Sequence, residues 1–150
     1  IKLSMGYPDK AAMRSIMSDR SSSDPLADVK AVCTAEKLIE MQKKAKAVFV
    51  DDSVYDYISD LCDATRHNEN ISLGVSPRGA LALCRIAKAW ACYNGREYVV
   101  PQDVRDFFAH VCSHRISLSA KGRLSGLAAE SVLDEILGSV KCPENEEKRR

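Results

Sequence analysis

The segment from residue 76 to residue 95, SPRGALALCRIAKAWACYNG, decides the fold class of this chain. Ser76 can cap a helix N-terminus with its hydroxyl, and Pro77 suits the first helical position because its missing N–H would have no partner there. Gly95 is a typical stop signal at the other end. Apolar residues cover more than half of the helix between them, so we expect it to lie centrally in a helical core. The apolar positions are Ala80, Leu81, Leu83, Cys84, Ile86, Ala87, Ala89, Trp90 and Ala91.

Arg78 falls in the first turn of this predicted helix. The helix macrodipole carries partial positive charge there, which favours anions over cations. An arginine in that turn therefore indicates an anion nearby, and a helix N-terminus with an arginine is well suited to bind phosphate. The alternative is that Arg78 only forms a salt bridge with an acidic neighbour on the surface.

Hydrophobic periodicity predicts further helices on both sides of this segment. They run from about residue 9 to 20, from Thr34, from Asp51 or Asp52, from Pro101, and from about residue 128 to 140. Thr34 and one of the two aspartates are the expected N-caps of the second and third helices. The polar stretch 67–75 is predicted to be a loop.

Two short stretches are candidates for what little sheet the chain can form. Val48-Phe49-Val50 and Arg115-Ile116-Ser117 are each too short for more than an edge strand, and they could pair with each other. The predicted fold class is therefore all-α, a small bundle of about six helices with at most one short two-stranded β pairing.

Charge and hydropathy exclude several classes of protein. The 22 basic and 21 acidic residues give a net charge of +1, so the chain has no electrostatic footprint for nucleic acid or anionic lipid. No apolar run approaches the ~20 residues of a membrane span. We predict no nucleic-acid partner and no membrane partner. The 150 residues suit one domain, and because the chain starts at Ile1 we expect it to be part of a longer protein.

The cysteines and histidines do not form a metal or redox motif. The six cysteines are scattered without a Cys-x-x-Cys pair, and we interpret them as free, mostly buried thiols in a reducing, cytoplasmic compartment. His110 and His114 are spaced so that two imidazoles can reach one metal ion. The glutamate that follows the first histidine in such motifs is absent, since Val111 stands there. We predict no metal site.

The sequence holds no complete catalytic motif. It has no Gly-x-x-x-x-Gly-Lys-Ser/Thr phosphate loop, no Gly-x-Gly-x-x-Gly fingerprint and no Gly-x-Ser-x-Gly nucleophile elbow. Nothing in it brings a nucleophile, a base and an oxyanion hole together. We therefore expect this chain to have no enzymatic activity by itself.

Six short motifs occur in a fixed order along the chain. They are Gly6-Tyr7-Pro8, Ala64-Thr65-Arg66, Leu73-Gly74-Val75-Ser76-Pro77-Arg78-Gly79-Ala80, Gly95-Arg96-Glu97-Tyr98-Val99, Pro101-Gln102-Asp103-Val104 and His114-Arg115-Ile116. In this order and spacing, the set resembles the C-terminal lid domain of MoxR-type AAA+ ATPases over about residues 1–140. Gly79 departs slightly from the pattern, because a small residue that is often alanine is usual at that position.

The resemblance implies a site that is shared with a separate core domain. The arginine of the Ser-Pro-Arg segment is the sensor 2 residue of such ATPases and reaches the phosphates of ATP. This assigns a catalytic and nucleotide-binding role to Arg78, with Ser76 and Pro77 beside it. The segment Gly6-Tyr7-Pro8 corresponds to the linker that lies next to the nucleotide. ATP with Mg²⁺ is thus the implied cofactor of the full-length protein, and this chain alone is expected to hold none tightly.

The resemblance also implies partners and a division of the chain. The implied partners are an N-terminal α/β core domain, further copies in a hexamer-like ring, and a protein with a von Willebrand factor A-type domain. By this resemblance, residues 1–8 are the end of a core strand and a linker, and residues 9–141 are the helical lid. Residues 142–150 are a charged tail that we expect to be disordered. The implied function is to close over ATP and couple its hydrolysis to chaperone-like, maturation or regulatory work. The alternative is a helical protein-interaction module with no nucleotide role.

Overall fold

Seven α-helices follow one another along the residues that the structure, a computed structural model, describes, which are 1–20 and 24–143. They are α1 (Lys10–Asp19), α2 (Ala35–Ala47), α3 (Asp52–His67), α4 (Pro77–Tyr93), α5 (Pro101–Cys112), α6 (Ala120–Leu124) and α7 (Ala129–Ser139). The described residues also contain two 3₁₀ turns, Pro25–Asp28 and Ser113–Arg115. Two short strands are present as well, β1 (Ile71–Leu73) and β2 (Ser117–Leu118). The prediction of an all-α fold with one short two-stranded pairing is confirmed.

The helices begin where polar side chains cap their free N–H groups. Thr34 accepts from the N–H of Lys37 at 3.3 Å, and Asp51 accepts from the N–H of Ser53 at 2.9 Å. Both caps agree with the sequence prediction, and they satisfy donors that no helical carbonyl can reach. At the other end of α4, Gly95 has a φ of +73°, a left-handed conformation that glycine adopts without strain. This confirms the predicted end of that helix.

The hydrophobic core lies between α3, α4, α5 and α7. Helix α4 contacts α2, α3 and α5, which confirms its predicted central position. Its buried side is narrower than the sequence suggests, because Leu81 is 57 % exposed and lies outside the core. The fully buried larger side chains are Val54, Tyr57, Leu61, Leu83, Val104, Phe108, Val111, Val132 and Leu133, together with Val75 just before α4.

The sheet forms between different residues from those predicted. Strand β1 lies inside the stretch expected to be a loop and pairs antiparallel with β2, with Ile71 opposite Leu118. Residues 48–50 do not pair with residues 115–117. Instead Phe49 forms an isolated parallel bridge with Tyr98, because burial of Val48 and Val50 holds this stretch beside the segment between α4 and α5.

The first 34 residues are exposed wherever the structure describes their side chains. Helix α1 buries no residue, so the apolar side that the sequence gives it contains exposed Met13, Ile16 and Met17. At the other end, Cys142 packs against the core, and residues 144–150 of the predicted charged tail lie outside the described residues. Within the described ranges, no helix combines the length and the apolar character needed to cross a membrane.

Candidate functional site

The predicted phosphate site lies at the start of α4. Ser76 caps this helix, with its hydroxyl 3.4 Å from the N–H of Gly79, and Pro77 occupies the first turn. The Arg78 side chain is exposed, and among the described residues it has no hydrogen bond and no ion pair. The alternative for Arg78 was a surface salt bridge, but Arg78 has no acidic partner in the part of the chain that the structure describes.

Two residues at the end of α3 hold the backbone immediately before this helix. The hydroxyl of Thr65 accepts from the N–H of Val75 at 2.9 Å, and it donates to the carbonyl of Cys62 at 2.6 Å. The Nε and Nη2 atoms of Arg66 both donate to the carbonyl of Val75, at 3.1 and 3.0 Å. We call Thr65, Arg66 and Val75 together the Val75 anchor. The sequence motif Ala64-Thr65-Arg66 contains two of these residues, although the sequence analysis assigns them no role.

Two glycines permit the close packing around the Val75 anchor. A Cβ atom on Gly74 would lie 2.7 Å from Cγ and 2.8 Å from the backbone nitrogen of Arg66, so α3 can approach only a glycine here. A Cβ atom on Gly79 would lie 2.6 Å from a methyl carbon of Val75. This contact leaves no room for a Cβ atom and so favours glycine at residue 79.

The predicted linker residues do not meet the start of α4 through any hydrogen bond in the described residues. Gly6 has a φ of +67°, and Tyr7 is fully exposed. Further toward the N-terminus, the N–H of Lys2 donates to the carbonyl of His110 at 3.0 Å, which places the first residues against α5. No hydrogen bond among the described residues therefore joins Gly6, Tyr7 and Pro8 to Ser76, Pro77 and Arg78.

A buried ion pair fixes the opposite end of α4. Asp103 is only 2 % exposed and accepts from Nη1 and Nη2 of Arg96 at 2.8 and 2.6 Å. It also accepts from the N–H of Val100 at 2.9 Å, which caps α5. Such a fork-to-fork pair is a strong and geometrically specific interaction. Arg96 and Asp103 therefore have a structural role in joining α4 to α5.

The histidines and cysteines of the described residues form no group of three possible metal ligands. Burial raises the pKa of Cys112 to about 12 and that of Cys62 to about 11, so both thiols stay protonated and are poor ligands near neutral pH. Desolvation, followed by the positive charges of Arg115, the N-terminus and Lys2, lowers the pKa of the exposed His114. Among the described residues, His110 and His114 have no third side chain beside them that could complete a metal site.

Comparison with known proteins assigns this architecture to a class. Residues 63–136 match the family described as the AAA lid domain. A crystal structure of a "putative ATPase" from Cytophaga hutchinsonii superposes with a TM-score of 0.79 and 27 % identity, over 93 % of this chain and 45 % of that chain. The fold and these matches define a helical lid domain of the AAA+ ATPases.

Curated relatives narrow the class further. The chain is 34 % identical to the uncharacterized protein YeaC of Bacillus subtilis, over 95 % of this chain and 44 % of YeaC. It is 29 % identical to the chaperone MoxR1 of Mycobacterium tuberculosis, over 95 % of this chain and 40 % of MoxR1. The chain therefore spans less than half the length of these relatives. It belongs to the MoxR-type AAA+ ATPases, as a lid domain.

Proposed function

We propose that this chain closes over ATP bound by an α/β core domain of the same protein, and that Arg78 is the residue that senses the phosphates. Lid closure would couple ATP hydrolysis to chaperone-like, maturation or regulatory work on another protein. Membership of a family with a chaperone and an ATPase among its relatives supports this proposal. It concerns the longer protein, since the chain itself has no phosphate loop.

The observation that carries the proposal is the state of Arg78. Its guanidinium is exposed in the first turn of α4, beside the positive end of the helix dipole, with no acidic partner among the described residues. A cation at that place is disfavoured unless an anion binds there. A phosphate group of ATP supplies that anion, and an arginine and a helix N-terminus are donors of the kind that phosphate recognition uses.

The residues present fit one side of a nucleotide site. They supply positive charge and N–H donors for phosphate, but the described residues contain no cluster of carboxylates that could bind Mg²⁺. ATP supplies the transferable phosphoryl group, and the catalysis of its transfer rests mainly on positioning and on stabilising negative charge. This chain would contribute Arg78 to that task. Titration of ATP against the isolated chain should therefore show only weak binding or none, and tight binding would mean that it holds a complete pocket.

Other features of the proposal follow from the family. The full-length protein would work in the cytoplasm as a hexamer-like ring, with ATP and Mg²⁺, and with a protein carrying a von Willebrand factor A-type domain as a partner. Ser76, Pro77 and the linker Gly6-Tyr7-Pro8 would lie near the nucleotide once the core domain is in place. The fully exposed Tyr7 and the exposed first residues are consistent with a segment that faces another domain.

One observation favours the second candidate, a helical protein-interaction module without a nucleotide role. Large apolar side chains are exposed throughout the first 41 residues. They are Ile1, Leu3, Met5, Tyr7, Met13, Ile16, Met17, Leu26, Val29, Val32, Leu38, Ile39 and Met41. Such a surface is typical of a contact with another protein or domain. In the proposed ATPase, it would contact the core domain instead.

Measurement of ATP turnover in the full-length protein separates the two candidates. Arg78→Ala should lower turnover at least about ten-fold, because loss of one charge-stabilising donor typically costs 10²–10³ in rate. Arg85→Ala is the matched control, since Arg85 is exposed two turns further along the same helix. Both variants should unfold at the temperature of the wild type. Normal turnover by Arg78→Ala would refute the proposed role and favour the interaction module.

A further inference from the structure

Both backbone polar groups of Val75, in the short connection between β1 and α4, are hydrogen-bonded by side chains of α3. Its N–H donates to the buried hydroxyl of Thr65, and its carbonyl accepts two hydrogen bonds from Arg66. Thr65 is 0 % exposed, and its own proton is used by the carbonyl of Cys62. The hydroxyl therefore has a fixed orientation and can only accept from Val75.

The Val75 anchor lies directly before the residue that the proposed function depends on. Ser76 and Pro77 separate Val75 from Arg78, and these two residues have little freedom, because one caps the helix and the other has a restricted φ. The side chain of Val75 is fully buried as well. A displacement of Val75 would therefore move the first turn of α4 and the base of the Arg78 side chain with it.

The remainder of α4 does not depend on the Val75 anchor. Leu83, Ala87 and Ala91 are buried in the core, and Arg96 with Asp103 fixes the connection after the helix. Loss of the Arg66 hydrogen bonds would thus loosen the first turn of α4 while the helix stays packed. Arg66 is otherwise exposed, so the hydrogen bonds to the carbonyl of Val75 are its main contact.

We propose that Thr65 and Arg66 are positioning residues, which hold Arg78 at the place where it reaches the phosphates of ATP. This inference rests on the proposed sensing role of Arg78. Arginine suits the task because its rigid guanidinium presents Nε and Nη2 side by side to one acceptor. A lysine would keep the positive charge but cannot form this pair of hydrogen bonds, so it separates positioning from a simple charge effect.

The first test measures ATP turnover of Arg66→Lys in the full-length protein. We expect kcat to fall about ten-fold with little change in KM for ATP, because small misplacements of a group that acts in the transition state can cost up to 10² in rate. Arg123→Lys is the matched control. Arg123 also donates to a backbone carbonyl, that of Leu118 at 2.7 Å, but away from α4. Its kcat should equal that of the wild type.

The deciding test repeats Arg66→Lys in a protein that already carries Arg78→Ala. If Arg66 acts through Arg78, the second substitution should change kcat by less than about two-fold, because the group that it positions is gone. An equal ten-fold loss in both backgrounds would overturn the positioning role and leave the sensing role of Arg78 standing. Normal turnover by Arg78→Ala alone would overturn both. Thr65→Val, which keeps the shape and removes the acceptor, should follow the same non-additive pattern.

Discussion

Replacement of Asp103 by asparagine is expected to destabilise this chain by about 3 kcal/mol, since removal of one partner of a buried ion pair costs about 3–5 kcal/mol. The carboxylate is 2 % exposed and accepts two hydrogen bonds from Arg96 and one from the N–H of Val100. The asparagine can keep one acceptor but turns an NH₂ group toward the guanidinium. We place the cost at the lower end of the range, because the Arg96 side chain is 25 % exposed and also donates to the carbonyl of Tyr98.

Urea unfolding followed by circular dichroism measures this change directly. In a domain of this size, 1 kcal/mol shifts Tm by about 2–4 °C, so thermal unfolding should shift by about 6–12 °C. Glu69→Gln is the control, because it breaks an ion pair with Lys121 whose side chains are 71 % and 61 % exposed. Exposed pairs contribute about 0–1 kcal/mol, so this variant should hardly differ from the wild type.

A double substitution tests whether the two charges act as a pair. If the cost comes from a guanidinium left without its partner, Arg96→Gln with Asp103→Asn should be less destabilising than the sum of the single variants, by about 1 kcal/mol or more. An Asp103→Asn variant within about 0.5 kcal/mol of the wild type would refute the reasoning, because that is the range of ordinary surface substitutions. It would mean that water or another group satisfies the pair.

Further predictions concern the close packing and the thiols. Gly74→Ala should lower the unfolding free energy by about 2–3 kcal/mol, because the new methyl would lie 2.8 Å from a backbone nitrogen of α3. Gly138→Ala, with open space around it in α7, should raise the unfolding free energy by up to about 1 kcal/mol in the same assay. In the native protein a thiol reagent should label exposed Cys33 quickly and leave buried Cys62 and Cys112 unlabelled until the chain unfolds; fast labelling of all three would contradict the burial. Burial raises the thiol pKa of Cys62 from 9.0 to about 11 and that of Cys112 to about 12, so the folded state holds these protons more tightly than the unfolded state. Their stabilising effect is therefore complete below about pH 9 and is lost as the pH rises through about 11 for Cys62 and about 12 for Cys112. Alanine at both positions should reduce the fall of the unfolding free energy over that interval.

Features that depend on neighbouring residues could be predicted from the sequence. The caps Thr34, Asp51 and Ser76 each bond to a backbone N–H two or three residues further on, so a short stretch of sequence contains both partners. The starts of α2, α3 and α4 were predicted correctly for this reason, and the start of α5 was predicted correctly from Pro101, which suits a first helical position. The short helix α6 was missed, because five residues with Gly122 among them give no helical periodicity to detect.

Features that depend on distant residues could not be predicted in the same way. Strand β1 pairs with a strand that lies more than forty residues further along the chain, and neither the alternation nor the length of residues 71–73 distinguishes them from a polar loop. The Val75 anchor joins residues nine and ten positions apart across two elements. In the sequence, the anchor is marked only by Thr65, Arg66 and Gly74. Their role cannot be recognised until the structure shows that α3 lies against the backbone of Gly74.

The contacts at the two ends of α4 have a consequence for the proposed movement of the lid. Thr65 and Arg66 hold the backbone before the helix, and Asp103 holds Arg96 just after it, so the backbone of Arg78 is held relative to the helical core. A lid of this kind cannot carry its arginine toward ATP by local rearrangement of α4. It must move as one body, and the chain then needs a joint outside the core. Residues 1–8 suit that role once the hydrogen bond of Lys2 to the carbonyl of His110 opens, because Gly6 has a φ of +67° and all eight residues are exposed. In the proposed ATPase, contact of Arg78 with a phosphate would therefore rotate the lid about the linker, and a rigid Val75 anchor would pass that contact on to the entire lid.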